Sequence, residues 1–121
     1  MAAEQAQQIG LRPEQVAAGT PANAQLVDVR TDAEHEAARI PDARHIPIER
    51  LQEEAGTLDR ERPVVFYCRS GDRSTAAAEA FRASGWEAHS IEGGLSRWAE
   101  EGLPLEPETA EVIAPSGLPP R

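Results

Sequence analysis

The segment from Pro63 to Tyr67 is continuously apolar and shows no alternation of hydrophobic and polar positions. Such a run is typical of a central strand of a parallel sheet, which is covered on both faces. Shorter strand-like segments lie at Leu26–Val29 and Ala88–Ile91, with a brief extended piece at His45–Ile46. The pattern predicts one central strand with shorter strands beside it.

Helical segments alternate with these strands. Thr31 and Glu34 have the spacing of a capping box, so a helix is predicted from there to about Ala38. This alternation predicts an α/β fold with a small open parallel sheet and helices on both faces. The other predicted helices are Pro13–Ala18 before Gly19, a polar helix at Glu49–Ala55, Ser74–Ser84 before Gly85, and Leu95–Glu101 before Gly102.

The two ends of the chain differ in composition from the middle. Residues 1–8 are polar and are predicted to form a frayed N-terminus. Over residues 106–121, prolines and three glutamates replace the apolar periodicity, which predicts a flexible, acidic, proline-rich tail. One folded domain is therefore predicted over residues 9–105.

Charge and composition exclude several classes of function. The 121 residues carry 12 basic and 21 acidic side chains, a formal net charge of −9, so no nucleic-acid partner is expected. With one cysteine and no lysine, the chain excludes internal disulfides, multi-cysteine zinc sites and Schiff-base chemistry. We expect no metal and no other cofactor.

The apolar runs are all far too short to cross a membrane, and no targeting segment is visible. We therefore expect no membrane partner. A lone thiol without an export signal predicts a cytoplasmic location. The small domain predicts a monomer.

The candidate chemistry lies in the segment from Cys68 to Ser74, which joins the central strand to a predicted helix. Gly71 permits the tight path that this loop needs. Backbone N–H groups turn inward in such a loop, and the following helix adds positive potential. With Arg69 and Arg73 beside it, the thiol is predicted to be ionised near neutral pH, with a small anionic substrate next to it.

An isolated cysteine at the end of an apolar strand is more often a small buried hydrophobe without a chemical role. The loop favours the functional interpretation, because a purely structural cysteine needs neither Gly71 nor two flanking arginines. Cys68 is therefore the candidate nucleophile.

Four segments of the chain are informative when they are taken together and in order. They are the Cys68–Ser74 loop; Leu26-Val27-Asp28-Val29-Arg30; Ile40-Pro41 with Ala43-Arg44-His45-Ile46-Pro47; and Gly93-Gly94-Leu95-x-x-Trp98 with Gly102-x-Pro104. Over nearly all of residues 9–105, these segments resemble the rhodanese-like sulfurtransferase family: the second is similar to its Asp-x-Arg strand end, and the third to its Gly-His-Ile-Pro-Gly-Ala segment and the residues after it. The chain departs from the family at Ala38-Arg39, where Gly-His is usual, and at Asp42, where glycine is common.

The resemblance implies a rhodanese-like fold and a thiosulfate:cyanide-type sulfurtransferase. Cys68 would accept a sulfane sulfur as a persulfide and pass it to a second nucleophile. The implied partners are a small anionic sulfur donor and a thiol, cyanide or sulfur-acceptor protein.

The residues of the loop receive individual predictions. The backbone N–H groups of the substrate-binding stretch would stabilise the thiolate and then the persulfide. Arg69, near the rim, would attract the anionic donor. Arg73 has two interpretations of equal weight: it binds the donor, or it anchors the loop through a carboxylate. The stretch comprises Arg69, Ser70, Gly71, Asp72 and Arg73.

Three residues are predicted to be structural neighbours of the site. Asp28 and Arg30 are expected to form an ion pair or hydrogen bonds, and Ser74 is expected to be the helix N-cap. Asp72 receives no chemical role beyond shaping the loop or pairing with an arginine. No histidine base is required, and nothing places His35, His45 or His89 beside Cys68.

Two alternatives stay open. The same loop would serve a regulatory or persulfide-carrier module that does not turn over. A phosphatase or arsenate reductase is disfavoured, because the Cys-x5-Arg spacing places an arginine six residues after the cysteine, where this chain has Ser74.

Overall fold

The computed structural model describes residues 8–108 and 110–113, so the predictions for residues 1–7, 109 and 114–121 lie outside the described part. The strands are β1 (Gly10–Leu11), β2 (Gln25–Asp28), β3 (Arg44–His45), β4 (Val64–Tyr67) and β5 (Ala88–Ile91). The helices are α1 (Pro13–Ala17), α2 (Asp32–Ala37), α3 (Leu51–Glu54), α4 (Asp72–Ala83) and α5 (Gly94–Glu100).

The five strands form one parallel sheet in the order β1-β5-β4-β2-β3. β4 lies at its centre, and all four of its residues are buried. The prediction of an α/β fold around a central apolar strand is confirmed.

Side chains of β4 alternate between two hydrophobic cores. Val64, Phe66 and Cys68 pack on one face, where α3 and α4 contribute Leu51, Ala77 and Phe81 among others. Val65 and Tyr67 point to the other face, where Val16 of α1 and Leu95 and Trp98 of α5 cover them. The predicted helices on both faces are confirmed.

Strand β1 and helix α3 differ from the predictions in more than the position of their ends. Strand β1 was not predicted, because two residues carry no periodicity; its pairing with β5 alone defines it. The polar helix expected at Glu49–Ala55 is a short helix, α3, between 3-10 turns at Ile48–Arg50 and Ala55–Thr57.

The predicted capping box of α2 is present, since Glu34 N–H donates to Thr31 Oγ1 and the Glu34 carboxylate accepts from Thr31 N–H.

The described ends pack against the domain. The carbonyl of Gln8, placed in the frayed N-terminus by prediction, accepts a hydrogen bond from Arg82. Arg39 and Glu106 form an antiparallel bridge, and Ala110 and Val112 are partly buried against the α5-side core. The described residues after Leu105 therefore contact the domain, through a few isolated side chains that leave no periodic signal in the sequence. The flexible tail over residues 106–121 stays a prediction.

A chain that ends at residue 105 should unfold at a lower urea concentration than the full chain. It loses the bridge to Arg39 and the partial burial of Ala110 and Val112, at a cost of about 1 to 2 kcal/mol. A chain that ends at residue 113 keeps every described contact and serves as the control. Equal unfolding midpoints for these two truncated chains would show that the segment contributes nothing.

Candidate active site

Cys68 follows β4 directly, and the loop that it opens ends three residues later at the start of α4. Gly71 has φ +110°, a left-handed conformation that glycine adopts without strain, and its N–H donates to Cys68 Sγ at 3.0 Å. Of the five amides predicted to face the sulfur, only that of Gly71 makes this hydrogen bond in the described structure. The thiol side chain is fully buried.

Ser74 is not the N-cap that the sequence predicts. The left-handed Gly71 occupies that position, so the helix begins at Asp72 and Ser74 lies inside its first turn. Its buried hydroxyl lies 3.4 Å from Cys68 Sγ and 2.7 Å from Ser90 Oγ. Ser74 therefore contacts the candidate nucleophile directly.

The first turn of α5 makes hydrogen bonds to the backbone of the loop. Leu95 N–H donates to the carbonyl of Cys68 at 2.8 Å, and Ser96 N–H donates to that of Arg69 at 3.0 Å. A Cβ at Gly94 would lie 2.5 Å from the Cys68 oxygen and 2.4 Å from the Arg69 oxygen. The absence of a side chain at Gly94 is what permits this approach.

Arg73 binds a carboxylate instead of standing free. Its two terminal nitrogens contact the two oxygens of Glu34 at 2.9 and 3.1 Å, and Glu34 is fully buried at the start of α2. Burial disfavours ionisation of Glu34, but Arg73 and the Thr31 N–H outweigh it and hold the pKa of Glu34 below its ordinary value. This geometry supports the anchoring interpretation of Arg73.

Asp28 and Arg30 form the expected ion pair, and both side chains are fully buried. Arg30 donates to the carboxylate at 2.8 and 2.7 Å and lies 5.5 Å from the ring centre of Tyr67. Burial alone would raise the pKa of Asp28, but the Arg30 hydrogen bonds and charge, helped by His35, hold it below its usual value.

The remaining loop residues are not gathered around the sulfur. Arg69 borders a surface hollow that it shares with Ser96 of α5 and residues 110–112, and its Nε has no hydrogen-bond partner among the described residues. Ser70 and Asp72 are exposed. Within the described structure Asp72 forms no ion pair with an arginine.

The histidines lie elsewhere. His35 and His45 stack with ring centres 4.3 Å apart, and His35 contacts Asp28 at 2.8 Å. His89 is bonded to Glu87 on the β5 side of the sheet. None contacts Cys68 in the described structure, and the described residues contain no cluster of histidine, cysteine and carboxylate side chains arranged for a metal.

Sequence reasoning missed two residues at this site. Glu34 was recognised only as part of a capping box, and its second partner, Arg73, is 39 residues away. Ser90 was assigned only to a strand. A capping-box glutamate whose helix starts at a strand end beside the loop was a usable signal for Glu34; Ser90 had none.

Comparisons with known proteins agree with this architecture. The profile described as the rhodanese-like domain matches residues 13–101. A sulfurtransferase of Allochromatium vinosum is 37% identical over 93 residues, 76% of this chain and 80% of that protein. The thiosulfate sulfurtransferase GlpE of Coxiella burnetii is 34% identical over 74 residues, 60% of this chain and 69% of that one.

A solved structure shows the same fold. The rhodanese-related protein from Thermoplasma volcanium has a TM-score of 0.74 at 29% identity, over 79% of this chain and 95% of that chain. The fold class and the family resemblance inferred from the motifs are confirmed.

Membrane-spanning helices are absent from the part of the chain that the structure describes, where the longest helix, α4, has 12 residues.

Replacement of Gly94 by alanine should displace the loop. The left-handed φ of +59° and the contacts with two carbonyl oxygens together should cost about 2 to 4 kcal/mol in urea unfolding. Gly102→Ala is the matched control, since its φ is +70° but nothing lies within 4 Å, and about 1 kcal/mol is expected. Equal losses in the two variants would contradict the close approach as the cause.

Glu34→Gln should destabilise the protein by about 1.5 to 3 kcal/mol at pH 7, because the charged hydrogen bonds to Arg73 are lost. Glu34 has a lowered native pKa, so its contribution is complete above the ordinary carboxyl pKa and disappears as pH falls through the native value. The gap between wild type and variant in urea unfolding should therefore narrow from pH 7 to pH 3. Glu36 is exposed on the same helix, so the Glu36→Gln variant should match wild type in urea unfolding at both pH values.

Proposed function

Because the chain belongs to the rhodanese-like domain family, we propose that it is a sulfurtransferase in which Cys68 carries a sulfane sulfur atom as a persulfide. The observation that carries the proposal is the position of Cys68 Sγ, which accepts the Gly71 N–H at the N-terminus of the 12-residue helix α4. Thiolates are stabilised at such helix ends. The sulfurtransferase names of the relatives supply the reaction class.

The first half-reaction loads the cysteine. The Cys68 thiolate attacks the outer sulfur of an anionic donor such as thiosulfate, a new S–S bond forms, and the donor's own S–S bond breaks. Sulfite leaves with the bonding electron pair. The negative charge then lies on the outer sulfur of the persulfide, near the first-turn amides of α4, which have no partner within the helix.

The second half-reaction removes the outer sulfur from the Cys68 persulfide. A thiolate or cyanide attacks the outer sulfur, the S–S bond of the persulfide breaks, and the electron pair returns to Cys68 Sγ. The products are an acceptor persulfide or thiocyanate. With a single cysteine in the chain, no internal thiol can act as the acceptor. We therefore propose that a separate thiol or an acceptor protein takes the sulfur, in the reducing cytoplasm.

The arginines contribute differently in this proposal. Arg73 holds the loop against α2 through Glu34, so its fork is occupied and not available for bidentate binding of a donor. Arg69 has no carboxylate partner among the described residues and supplies the positive charge that attracts the donor. The occupied Arg73, five residues after Cys68, also argues against phosphatase chemistry.

The test is mass spectrometry of the full chain after thiosulfate treatment and removal of excess donor. We expect a mass gain of one sulfur atom in wild type and none in Cys68→Ser. Cyanide and a small thiol should each remove the added sulfur, and aryl phosphate should not be hydrolysed.

Absence of the mass gain in wild type, or its persistence in Cys68→Ser, would overturn the persulfide mechanism. A persulfide that neither cyanide nor thiols discharge would overturn turnover and favour a binding module instead.

A further inference from the structure

Three hydroxyl groups form a hydrogen-bonded chain that leads to Cys68. Ser74 Oγ lies 3.4 Å from the sulfur, Ser90 Oγ lies 2.7 Å from Ser74 Oγ, and Thr75 Oγ1 donates to Ser90 Oγ at 3.3 Å. Ser74 and Ser90 are 0% and 1% exposed, so solvent water does not compete for their hydrogen bonds. The hydrogen bonds among the hydroxyl groups and their acceptors therefore decide where the protons lie.

Each hydroxyl has one proton, and this restricts the arrangement. Ser74 has three possible acceptors: Cys68 Sγ, Ser90 Oγ and the carbonyl of Gly71 at 3.2 Å. Thr75 donates to Ser90, so the Ser90 proton is free to go to Ser74. Once Ser90 donates to Ser74, the Ser74 proton is directed away from Ser90, toward the sulfur or the Gly71 carbonyl.

The strand backbone fixes the position of Ser90. Ser90 lies in β5, in register with Phe66 of β4 and Gly10 of β1, and its N–H donates to the Ile9 carbonyl at 2.7 Å. Its side chain shares a sheet face with Ala88 of the same strand. The sheet therefore holds the Ser90 hydroxyl at a constant place beneath the loop.

We propose that Ser90 is a positioning residue for sulfur transfer, directing the Ser74 hydroxyl proton onto Cys68 Sγ whenever that sulfur carries negative charge. Ser74 then contacts the reacting atom, and Ser90 acts through Ser74. Hydrogen bonds to a charged acceptor are stronger than those to a neutral one. The thiolate therefore draws the Ser74 proton to itself.

The hydroxyl would change acceptor during the cycle, a step that rests on the persulfide mechanism proposed above. When the persulfide forms, the charge moves to the outer sulfur and Sγ becomes a weak acceptor, so the Ser74 proton turns to the Gly71 carbonyl. During discharge the electron pair returns to Sγ and the proton turns back. The chain of hydroxyls thus stabilises Cys68 both as nucleophile and as leaving group.

The rate at which iodoacetamide alkylates the full chain, measured by mass spectrometry at pH values from 5 to 10, tests the positioning role without any sulfur donor. The single cysteine makes the rate unambiguous. We expect the pH of half-maximal alkylation rate to rise by about 1 in Ser74→Ala and by about 0.5 in Ser90→Ala. Ser84→Ala, an exposed serine at the end of α4, should leave it unchanged.

The double variant separates positioning from a general structural effect. If Ser90 acts through Ser74, the double variant should match Ser74→Ala alone, because the second hydroxyl has nothing left to direct. Additive shifts would overturn the proposal, as would an unchanged pH profile in a folded Ser90→Ala protein. If Ser90→Ala fails to fold by circular dichroism, Ser90→Thr, which keeps the hydroxyl, should retain the wild-type profile, and an upward shift there would overturn the proposal.

A second measurement tests the leaving-group role. Discharge of the preformed persulfide by cyanide should be about 3- to 10-fold slower in Ser90→Ala than in wild type. An unchanged discharge rate would overturn this part of the proposal. Failure of wild type to form a persulfide would instead contradict the proposed function and leave the alkylation result standing.

Discussion

The close approach of α5 to the active-site loop is the constraint on which the site depends. The carbonyls of Cys68 and Arg69 accept the amides of Leu95 and Ser96, and only a residue without a Cβ fits between them at Gly94. Because these carbonyls are turned back toward α5, the loop can direct the Gly71 amide at the sulfur from the other side. The orientation of the peptide groups, more than any side chain, forms the candidate site.

Two ion pairs with buried carboxylates lie near the loop, and one of them, Arg73–Glu34, ties the end of the loop to α2. Arg73 is bound by Glu34 and Arg30 by Asp28, and both acids are fully buried. One of the two arginines predicted to make the surroundings of the thiol positive, Arg73, is neutralised by Glu34 and so adds little to the local positive field. Gly71 N–H, the start of α4 and Arg69 remain as its sources. Arg73 helps to hold the pKa of Glu34 below its ordinary value, so acid is expected to loosen the end of the loop as it protonates Glu34.

The sequence predicted the elements whose signal is local. The uninterrupted apolar run of β4 identified the centre of the sheet, the Thr31 capping box identified α2, and Gly102 marked the end of α5. The Glu34–Arg73 pair and the Ser74–Ser90 contact were not predictable in the same way, because each joins residues far apart in sequence. Ser74 was misassigned as a cap because serine favours that position; the left-handed Gly71 took it and moved serine into the helix.

That two-residue difference in the helix start changes the chemistry of the site. A capping Ser74 would use its oxygen to accept a backbone amide of its own helix. Inside the first turn, it faces Cys68 Sγ and Ser90 instead. The sulfur thus lies between the backbone amide of Gly71 in the loop and the hydroxyl of Ser74 in the helix. The Ser74 hydroxyl in turn contacts Ser90 of the central sheet. Both groups are uncharged, so the proposed transfer cycle needs no titrating partner beside the sulfur.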